Sequence, residues 1–316
     1  MDGLAAVAPV LSARPVIAVV GPTAAGKSAL AMALARERDG EIVCCDSLQV
    51  YRGLDIGSAK ATPEERAAVP HHMLDLVEPD QTFSAAEYSR LARAALEDIV
   101  GRGRLAVVAG GTGLYLRALL HGLFEGPARN DELRGRLVRI AERRGDASLH
   151  RMLAAVDPEA AARIAPRDRL RVVRALEVFR STRRPISEHH RAGALPLLGH
   201  DVLVIGLDPP RDALREAVER RTADMMARGL VDEVKRLLER GYPPESRPLR
   251  AIGYRQAVAL ARGEMEAGPA QRAIVAETMR YAKRQMTWFR HQTRATWFPA
   301  PEPALLAARA WLDARG

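Results

Sequence analysis

Short apolar segments alternate with amphipathic ones through the first 110 residues of the chain. Residues 16–20 are an uninterrupted apolar run, and residues 28–38 then carry apolar side chains at helical spacing. The alternation continues with strand-like runs at residues 42–45 and 105–109 and with a helical pattern at residues 84–100. Strands that alternate with helices in this way predict βαβ units and a parallel sheet.

A long helical region interrupts this pattern. Between residues 130 and 193 the strand signal disappears, and helices are predicted at residues 131–144, 147–155, 158–164 and 167–179. Strand character returns at residues 202–205. We therefore predict an α/β fold, a P-loop NTPase-like parallel sheet flanked by helices, with an all-helical insertion domain. Residues 1–128 and 200–316 would form the core with its C-terminal helices, and residues 129–199 the insertion.

The pattern after the returning strand is helical. Asp208 is predicted to cap a long helix, with Pro209 in its first turn. The helices expected from there onward cover residues 211–228, 231–240, 254–262 and 269–289.

Length and cysteine content exclude several classes of protein. The 316 residues suggest about two domains. No run approaches the roughly 18 consecutive apolar residues of a membrane helix, and residues 16–20 lead into a glycine loop instead of following a basic signal-peptide head. The two cysteines, Cys44 and Cys45, are neighbours whose side chains point to opposite faces of a strand. A disulfide framework is excluded, which favours the reducing cytoplasm.

Arginine gives the chain its positive charge. Lysine and arginine total 48 against 39 acidic residues, for a formal net charge of +9, and only four of the 48 are lysine. A GC-rich genome would explain the arginine-to-lysine ratio but not the clustering of the charge. Residues 163–184 hold eight arginines against two acidic residues, and residues 271–300 hold six basic residues against one. Two basic clusters favour a polyanionic partner, with nucleic acid ahead of an anionic membrane surface.

The strongest chemical signal lies between the first strand and the first helix. The residues there match the phosphate-binding pattern G-x-x-x-x-G-K-[ST]; they are Gly21, Pro22, Thr23, Ala24, Ala25, Gly26, Lys27 and Ser28. Glycines let backbone N–H groups turn inward around a phosphate, and the helix N-terminus adds positive potential. Lys27 supplies a mobile charge, and the Ser28 hydroxyl is a candidate Mg²⁺ ligand. A ligand with a di- or triphosphate is therefore expected here.

Two further polar groups follow predicted strands. Asp46 comes directly after the second strand, and Thr112 lies in a glycine-rich turn after the third. The carboxyl ends of parallel strands share one edge of a sheet, where ligands bind. Asp46 is a candidate general base, metal ligand or turn cap. Thr112 either donates a hydrogen bond to a phosphate or is simply part of a strand-to-helix turn.

One expected feature of nucleotidases is missing. Many P-loop enzymes hold Mg²⁺ through an aspartate at the end of an apolar strand. Residues 105–109 end in glycines instead. The loop would then hold a phosphate that leaves, in place of one that is transferred.

The C-terminal part mixes basic and aromatic residues. Five of the chain's fourteen aromatic residues lie among these basic residues; they are Tyr281, Trp288, Phe289, Trp297 and Phe298. Arginines on phosphates with aromatics under unstacked bases are typical of single-stranded RNA binding. Burial of Trp288 and Phe289 in a core, with a solvated basic face, is the favoured alternative. The histidines show no zinc spacing, and no catalytic triad is evident, so Mg²⁺ is the only metal expected.

These residues resemble those of one family closely, the tRNA dimethylallyltransferases, also called tRNA isopentenyltransferases. The similar stretches are GPTAAGKS (21–28), DSLQVYRGLDIGSAK (46–60), PHHMLDLVEP (70–79), FSAAEYSR (83–90), AGGTGLYLRALL (109–120), VDPEAAARIAPRDRLRVVRALEVF (156–179), GLVDEV (229–234), AIGYRQ (251–256) and AKRQMTWFR (282–290). They cover nearly the whole chain in order.

The resemblance implies a reaction and roles for the residues. The family transfers a dimethylallyl group from dimethylallyl diphosphate to N6 of the adenosine immediately 3′ of the anticodon. The P-loop would hold the leaving diphosphate with Mg²⁺, which explains the missing strand-end aspartate. Asp46 would be the general base. Thr112 and Arg221 would act at the reactive centre or on the diphosphate, joined by Thr23 and Lys27.

The resemblance also implies the tRNA contacts. The insertion would grip the anticodon stem-loop, and the target base would leave its stack to enter a channel. The contact positions carried over are Asp46, Ser47, Leu48, Gln49, Thr112, Arg134, Leu170, Arg171, Val172, Val173, Arg174, Arg250, Ala251, Ile252, Gly253, Tyr254 and Arg255. The sequence carries no zinc-finger extension of the kind found in some eukaryotic members, so a bacterial-type enzyme is expected. It is expected to be a monomer in the cytoplasm, with no membrane partner.

A few positions depart from the family pattern. Ala25 replaces a loop serine, Leu170 stands where glutamine is common, and residues 165–168 read APRD where HPND is common. The last two changes affect individual RNA contacts and not the chemistry.

Three alternatives remain open from the residues alone. An ATP-dependent small-molecule kinase would need no RNA, and the missing strand-end aspartate counts against it. An adenylate isopentenyltransferase acting on free AMP would need neither the insertion nor the basic C-terminal helix. A non-enzymatic RNA-binding protein would not need to keep Lys27, Ser28, Asp46 and Thr112 together.

Overall fold

A six-stranded parallel sheet forms the centre of the protein. The computed structural model describes residues 14–124, 126–127, 129–193 and 195–315. The strands are β1 (Arg14–Val20), β2 (Glu41–Cys44), β3 (His71–His72), β4 (Ala106–Ala109), β5 (His200–Leu207) and β6 (Thr296–Phe298). Their order is β3-β2-β4-β1-β5-β6, and every neighbouring pair is parallel. All strands therefore end at the same edge, where the candidate site residues follow them.

Helices account for most of the remaining described residues. In chain order they are α1 (Lys27–Glu37), α2 (Pro63–Ala68), α3 (Ala85–Gly101), α4 (Gly113–His121), α5 (Asp131–Arg144), α6 (Asp146–Val156), α7 (Pro158–Arg163), α8 (Arg169–Thr182), α9 (Ile186–Ala192), α10 (Arg211–Ala227), α11 (Leu230–Glu239), α12 (Tyr254–Ala261), α13 (Ala267–Gln292) and α14 (Pro301–Asp313). A short 3₁₀ helix, Pro248–Arg250, precedes α12.

The predicted strands are present, and two short ones were not predicted. The first strand, β1, lies in the middle of the sheet, and Val16–Val20 within it are at most 2% exposed, as expected of a central parallel strand. The unpredicted strands β3 and β6 have two and three residues and lie at the two edges. Segments this short leave no alternation that a sequence pattern can register.

The predicted cap of the long helix α10 is wrong. This helix begins at Arg211 after Pro210, with no side-chain capping bond. The preceding strand β5 continues to Leu207, and the backbone N–H of Asp208 donates to Phe298 O at 2.8 Å. Asp208 therefore extends the edge of the sheet, and its carboxylate pairs with Arg290 instead of capping a helix.

Two compact units divide the chain. The residues up to Leu120 and from Leu197 onward form one, around the sheet, and His121–Pro196 form the other. The sequence pattern predicts domain limits at 128/129 and 199/200; residues 1, 128 and 316 of that prediction lie outside the described part.

The second unit, as far as it is described, contains helices α5 to α9 and no strand. Local capping explains several of its helix starts, because the side chains of Asn130, Asp157 and Asp168 each accept a hydrogen bond from a first-turn N–H. Its helices enclose a separate apolar core; the most deeply buried members include Leu149, Leu153, Val172, Ala175 and Val178.

None of the described helices combines the length and the apolar character that crossing a membrane needs.

Candidate active site

The P-loop follows β1, and its backbone conformation is suited to binding an anion. Gly21, Ala24 and Gly26 adopt positive φ angles of 142°, 64° and 87°. A side chain at Gly21 would also meet Leu207 O at 2.6 Å, so this position needs glycine. Lys27 Nζ donates to Pro22 O at 2.5 Å, within the loop. The loop ends at the N-terminus of α1, whose first turn has no acidic residue.

The charge of Lys27 is easily lost. Burial lowers its pKa to about 7, and the nearby guanidinium of Arg221 contributes in the same direction. Asp46 opposes the shift in part. An incoming diphosphate would restore the favourable charge balance around this ammonium group.

Binding of inorganic pyrophosphate to the loop should weaken as the pH rises through about 7, since Lys27 loses its proton there in the free protein. From about pH 6 to about pH 8 the affinity should fall by up to about tenfold more than in a variant that stays charged. Lys27→Arg is that control, because arginine keeps its proton throughout. Calorimetric titrations of both proteins measure the difference, and equal pH slopes would contradict this reading.

Asp46 lies directly beyond β2 and is half-buried. Its Oδ1 accepts a hydrogen bond from Leu48 N at 2.8 Å, which caps the following turn. Among the described residues Oδ2 accepts no hydrogen bond, so one carboxylate oxygen holds the loop and the other is available for substrate. The capping and general-base interpretations of Asp46 are therefore compatible.

Thr112 connects the turn after β4 to the turn that carries Asp46. Its Oγ1 accepts a hydrogen bond from Ser47 N at 3.0 Å and lies 3.4 Å from Ser47 Oγ. The Thr112 carbonyl accepts from Tyr115 N and Leu116 N, which starts α4. The strand-to-helix turn is thus present, and the hydroxyl faces the loop of Asp46.

Arg221 reaches the P-loop from α10. Its Nη1 donates to Thr23 Oγ1 at 3.0 Å. Burial lowers the pKa of this guanidinium, while the carboxylate of Asp46 acts in the opposite direction. A half-buried arginine on a phosphate loop is a strong point of attraction for an anion.

A cavity of about 390 Å³ joins these groups. Thr23, Asp46 and Arg221 lie on its wall. The apolar part of the wall includes Leu48, Val218, Met225, Ile252 and Ile274. A ligand with an anionic end and a small apolar end would match such a wall.

Known proteins resemble this chain in sequence. The model of a family described as IPP transferase matches residues 49–292, more than half of the chain. The chain belongs to the IPP transferase family. A tRNA dimethylallyltransferase of Anaeromyxobacter dehalogenans (strain 2CP-C) is 50% identical over 296 residues, 93% of this chain and 98% of that protein. The tRNA dimethylallyltransferase 2 of Geotalea uraniireducens is 48% identical over 286 residues, 90% of this chain and 92% of that protein.

Solved structures show the same relationship. The tRNA isopentenylpyrophosphate transferase of Bacillus halodurans is 36% identical, with a TM-score of 0.69 and 96% of each chain covered. A eukaryotic dimethylallyltransferase acting on tRNA is 25% identical, with a TM-score of 0.78, covering 96% of this chain and 80% of that one. The predicted fold class and enzyme family are confirmed, and the kinase and free-AMP alternatives are not favoured.

The family's expected RNA contacts in the helical unit differ widely in availability. Leu170 is 75% exposed and Arg171 is exposed, but Val172 and Val173 are 1% and 4% exposed and belong to the core of this unit. Of residues 170–173, only Leu170 and Arg171 therefore have side chains that are available to contact RNA. Their role in RNA binding stays a prediction.

Two further predicted contacts, Arg134 and Arg174, are engaged inside the helical unit. Glu177 is completely buried, and its oxygens accept from Arg134 Nε and Nη2 at 2.9 Å each and from Arg174 Nη1 at 2.7 Å. Asn130 N donates to the same carboxylate at 2.7 Å. The network holds the pKa of Glu177 at about 2 against the opposing effect of burial. Both arginines thus neutralise a buried charge.

The segment predicted at residues 250–255 splits in a similar way. Arg250, Ala251, Ile252 and Gly253 line the cavity. Tyr254 is buried, and its hydroxyl donates to Glu233 Oε1 at 2.8 Å, while Arg255 is exposed and pairs with Glu277.

Gln49, the remaining predicted contact, supports a neighbouring loop. Its Nε2 donates to Ser58 O at 3.2 Å and to Ala59 O at 3.1 Å. Ser58 lines the cavity, so Gln49 helps to shape the wall.

The sequence suggested no role for Gln285 of α13, and it offered Tyr281 only as a candidate for base stacking. Tyr281 lines the cavity, and burial raises its pKa to about 12. Gln285 is 7% exposed and hydrogen-bonds two loops of the site. The available signal was their spacing of four residues, which places both on one face of a helix.

A magnesium ion would find few protein ligands here. Among the described residues no three or more His, Cys, Asp or Glu side chains are grouped to hold a metal. Ser28 is exposed at the end of the P-loop. Mg²⁺ is commonly held by one or two protein oxygens with water and substrate phosphates, so the Ser28 hydroxyl fits an ion that arrives with a diphosphate.

Proposed function

We propose that this protein transfers the dimethylallyl group of dimethylallyl diphosphate to N6 of the adenosine at position 37, immediately 3′ of the anticodon, in tRNA. The observation that carries the proposal is the cavity whose wall holds Asp46 together with Thr23 and Arg221. A proton acceptor and an anion-binding group therefore face the same space. Family membership supports the same reaction.

The chemistry follows from these two groups. The adenine N6 attacks the allylic carbon, the N–C bond forms, and the C–O bond to diphosphate breaks. Asp46 Oδ2 accepts the proton that N6 loses. The diphosphate stays on the P-loop, where Lys27, Thr23 and Arg221 stabilise the developing negative charge. The products are N6-isopentenyladenosine and diphosphate.

Magnesium would assist on the diphosphate side. We propose that the Ser28 hydroxyl is its protein ligand, with the remaining positions filled by diphosphate oxygens and water. The bound ion would neutralise charge on the leaving group. The P-loop residues keep their own role, which is to hold and orient the diphosphate.

A tRNA partner would account for the two basic clusters at residues 163–184 and 271–300. In this proposal the helical unit grips the anticodon stem-loop, and the cavity receives the unstacked base. Prenyl transfer to tRNA would take place in the cytoplasm, by a monomer.

Labelled dimethylallyl diphosphate tests the function directly. The protein, with Mg²⁺, should label a tRNA whose anticodon is followed by adenosine, and it should label neither free AMP nor the same tRNA with that adenosine replaced. Label in AMP would select an adenylate isopentenyltransferase. No label in any acceptor, from folded protein that binds ATP, would overturn the proposal in favour of a kinase.

Arg171 should contribute directly to tRNA binding. This arginine lies on the helical unit, and its side chain is 69% exposed although it pairs with Asp168. Arg171→Ala should remove one phosphate contact. The plot of log K for tRNA binding against log salt concentration should then become less steep, by up to about one unit of slope. Filter-binding titrations over a salt series measure this slope, and the thermal midpoint should stay unchanged.

Arg174→Ala provides the contrasting variant. It leaves the buried Glu177 with one arginine fewer, so the expected result is a loss of stability of about 1–3 kcal/mol. If Arg171→Ala lowered the thermal midpoint and left the salt slope untouched, the RNA surface would have to lie elsewhere.

A further inference from the structure

Gln285 joins two loops of the site that are far apart in sequence. Its Oε1 accepts a hydrogen bond from Thr23 N at 3.0 Å, and its Nε2 donates to Gly111 O at 2.8 Å. Gln285 is 7% exposed, and its bond to Gly111 O is buried. The amide of Gln285 thus forms a bridge of two hydrogen bonds between the P-loop and the turn that follows β4.

The fit around this amide is close. A Cβ atom on Gly111 would lie 2.3 Å from Gln285 Nε2, so the absence of a side chain at Gly111 makes room for the bond. Gln285 also acts on the phenol of Tyr281, which lines the cavity, and lowers its pKa against the larger effect of burial.

Each end of the bridge leads to a group that acts on substrate. The hydroxyl of Thr23 accepts a hydrogen bond from Arg221. The backbone position of Thr23 therefore sets where the arginine contacts the diphosphate. Gly111 precedes Thr112, which accepts from Ser47 N beside Asp46. The bridge therefore sets the separation between the groups that hold the leaving group and the group that takes the proton.

We propose that Gln285 is a positioning residue for prenyl transfer, which holds the P-loop at a fixed distance from the loop of Thr112 and Asp46. The inference rests on the proposed function. Its physical requirement is a side chain that donates and accepts at the same time, which an amide does and a carboxylate or thioether does not. A shift of one ångström at reacting atoms is enough to cost about 10²-fold in rate.

Gln285→Met tests the proposal with a side chain of similar length that makes neither bond. The expected result is a fall of kcat/KM for dimethylallyl diphosphate by about tenfold to a hundredfold. Affinity for tRNA should stay within about twofold, because the RNA surface is untouched. Gln285→Glu keeps the acceptor for Thr23 N and loses the donor to Gly111 O, so its defect tests the donor alone.

Gln271→Met is the matched control, since Gln271 is a half-buried glutamine of the same helix α13 that does not line the cavity of Asp46. It should behave as the wild type. Unchanged kcat/KM in Gln285→Met would overturn the proposal. A fall in activity that only parallels a fall in thermal midpoint and in tRNA affinity would also overturn it, by showing a purely structural role.

Binding of inorganic pyrophosphate with Mg²⁺ separates this inference from the proposed function. Calorimetry should show weaker binding to Gln285→Met than to the wild type, by about tenfold. If the wild-type protein failed to label tRNA, the proposed function would fall while this comparison still reported on the bridge. If the wild type labelled tRNA and both variants bound pyrophosphate and turned over normally, only the bridge would fall.

Discussion

Replacing Asp46 with asparagine should slow prenyl transfer by about 10²-fold or more, the usual contribution of a general base. An exocyclic adenine amine is a poor nucleophile, and it becomes acidic as its new bond to carbon forms. Asp46 is half-buried and lines the cavity, and its Oδ2 accepts no hydrogen bond from the described residues. Without the carboxylate, water would have to take the proton.

Asparagine is the informative substitution because of the turn that Asp46 caps. The Asn side-chain oxygen can still accept from Leu48 N, as Oδ1 does now at 2.8 Å. The loop, its contact with Thr112 and the tRNA affinity should therefore stay intact. Asp46→Ala removes the base and the cap together, and the comparison separates the two effects.

Single-turnover transfer to tRNA measures the chemical step without product release. Filter binding measures tRNA affinity in the same variants. A near-normal rate in Asp46→Asn would remove Asp46 from the mechanism. A normal rate in Asp46→Asn with a slow Asp46→Ala would reduce Asp46 to the cap of its turn.

The parts of the fold that sequence predicts are those with local causes. The central strand β1 is rich in valine and isoleucine, and the P-loop needs Gly21 and Gly26 at positions of positive φ. Such signals lie within a few residues of each other. Asp46 and Thr112 were placed near the loop by one further rule, the shared carboxyl edge of parallel strands.

The parts that sequence misses depend on contacts across long stretches of chain. Gln285 meets Thr23 at a separation of 262 residues, and nothing in the local pattern around Gln285 identifies that partner. In the sequence Glu177 is merely one of the two acidic residues in the basic cluster 163–184, whereas burial makes it the centre of the network that engages Arg134 and Arg174. Asp208 followed a capping pattern, but the pairing of β5 with β6 placed it in the sheet.

The outcome for the aromatic residues of α13 shows the same dependence on packing. Phe289 is 1% exposed and belongs to the core. Trp288 is half-buried, and a Cβ on Gly113 would lie 2.3 Å from its ring. These contacts favour the core interpretation over base stacking for this pair.

Arg221→Ala should lower kcat/KM for dimethylallyl diphosphate by about 10²- to 10³-fold, the range found when one donor to a developing oxyanion is removed. Arg221 approaches the P-loop from α10 and donates to Thr23. It carries a permanent charge into a partly buried site, where electrostatic stabilisation is stronger than in water. Arg221→Lys should recover only part of the loss, since a single ammonium cannot bond Thr23 and the diphosphate with the geometry of a guanidinium.

A second, independent readout follows from the charge repulsion in the site. Arg221 is one cause of the lowered pKa of Lys27, so its removal should raise that pKa. The pH at which pyrophosphate binding weakens should then move upward in Arg221→Ala, while in Arg221→Lys it should move less. A slow variant whose pH profile matches that of the wild type would show that Arg221 does not influence Lys27. An unchanged kcat/KM would show that the diphosphate leaves without help from this arginine, and the leaving-group site would then have to be sought at Lys27 and the backbone of the P-loop alone.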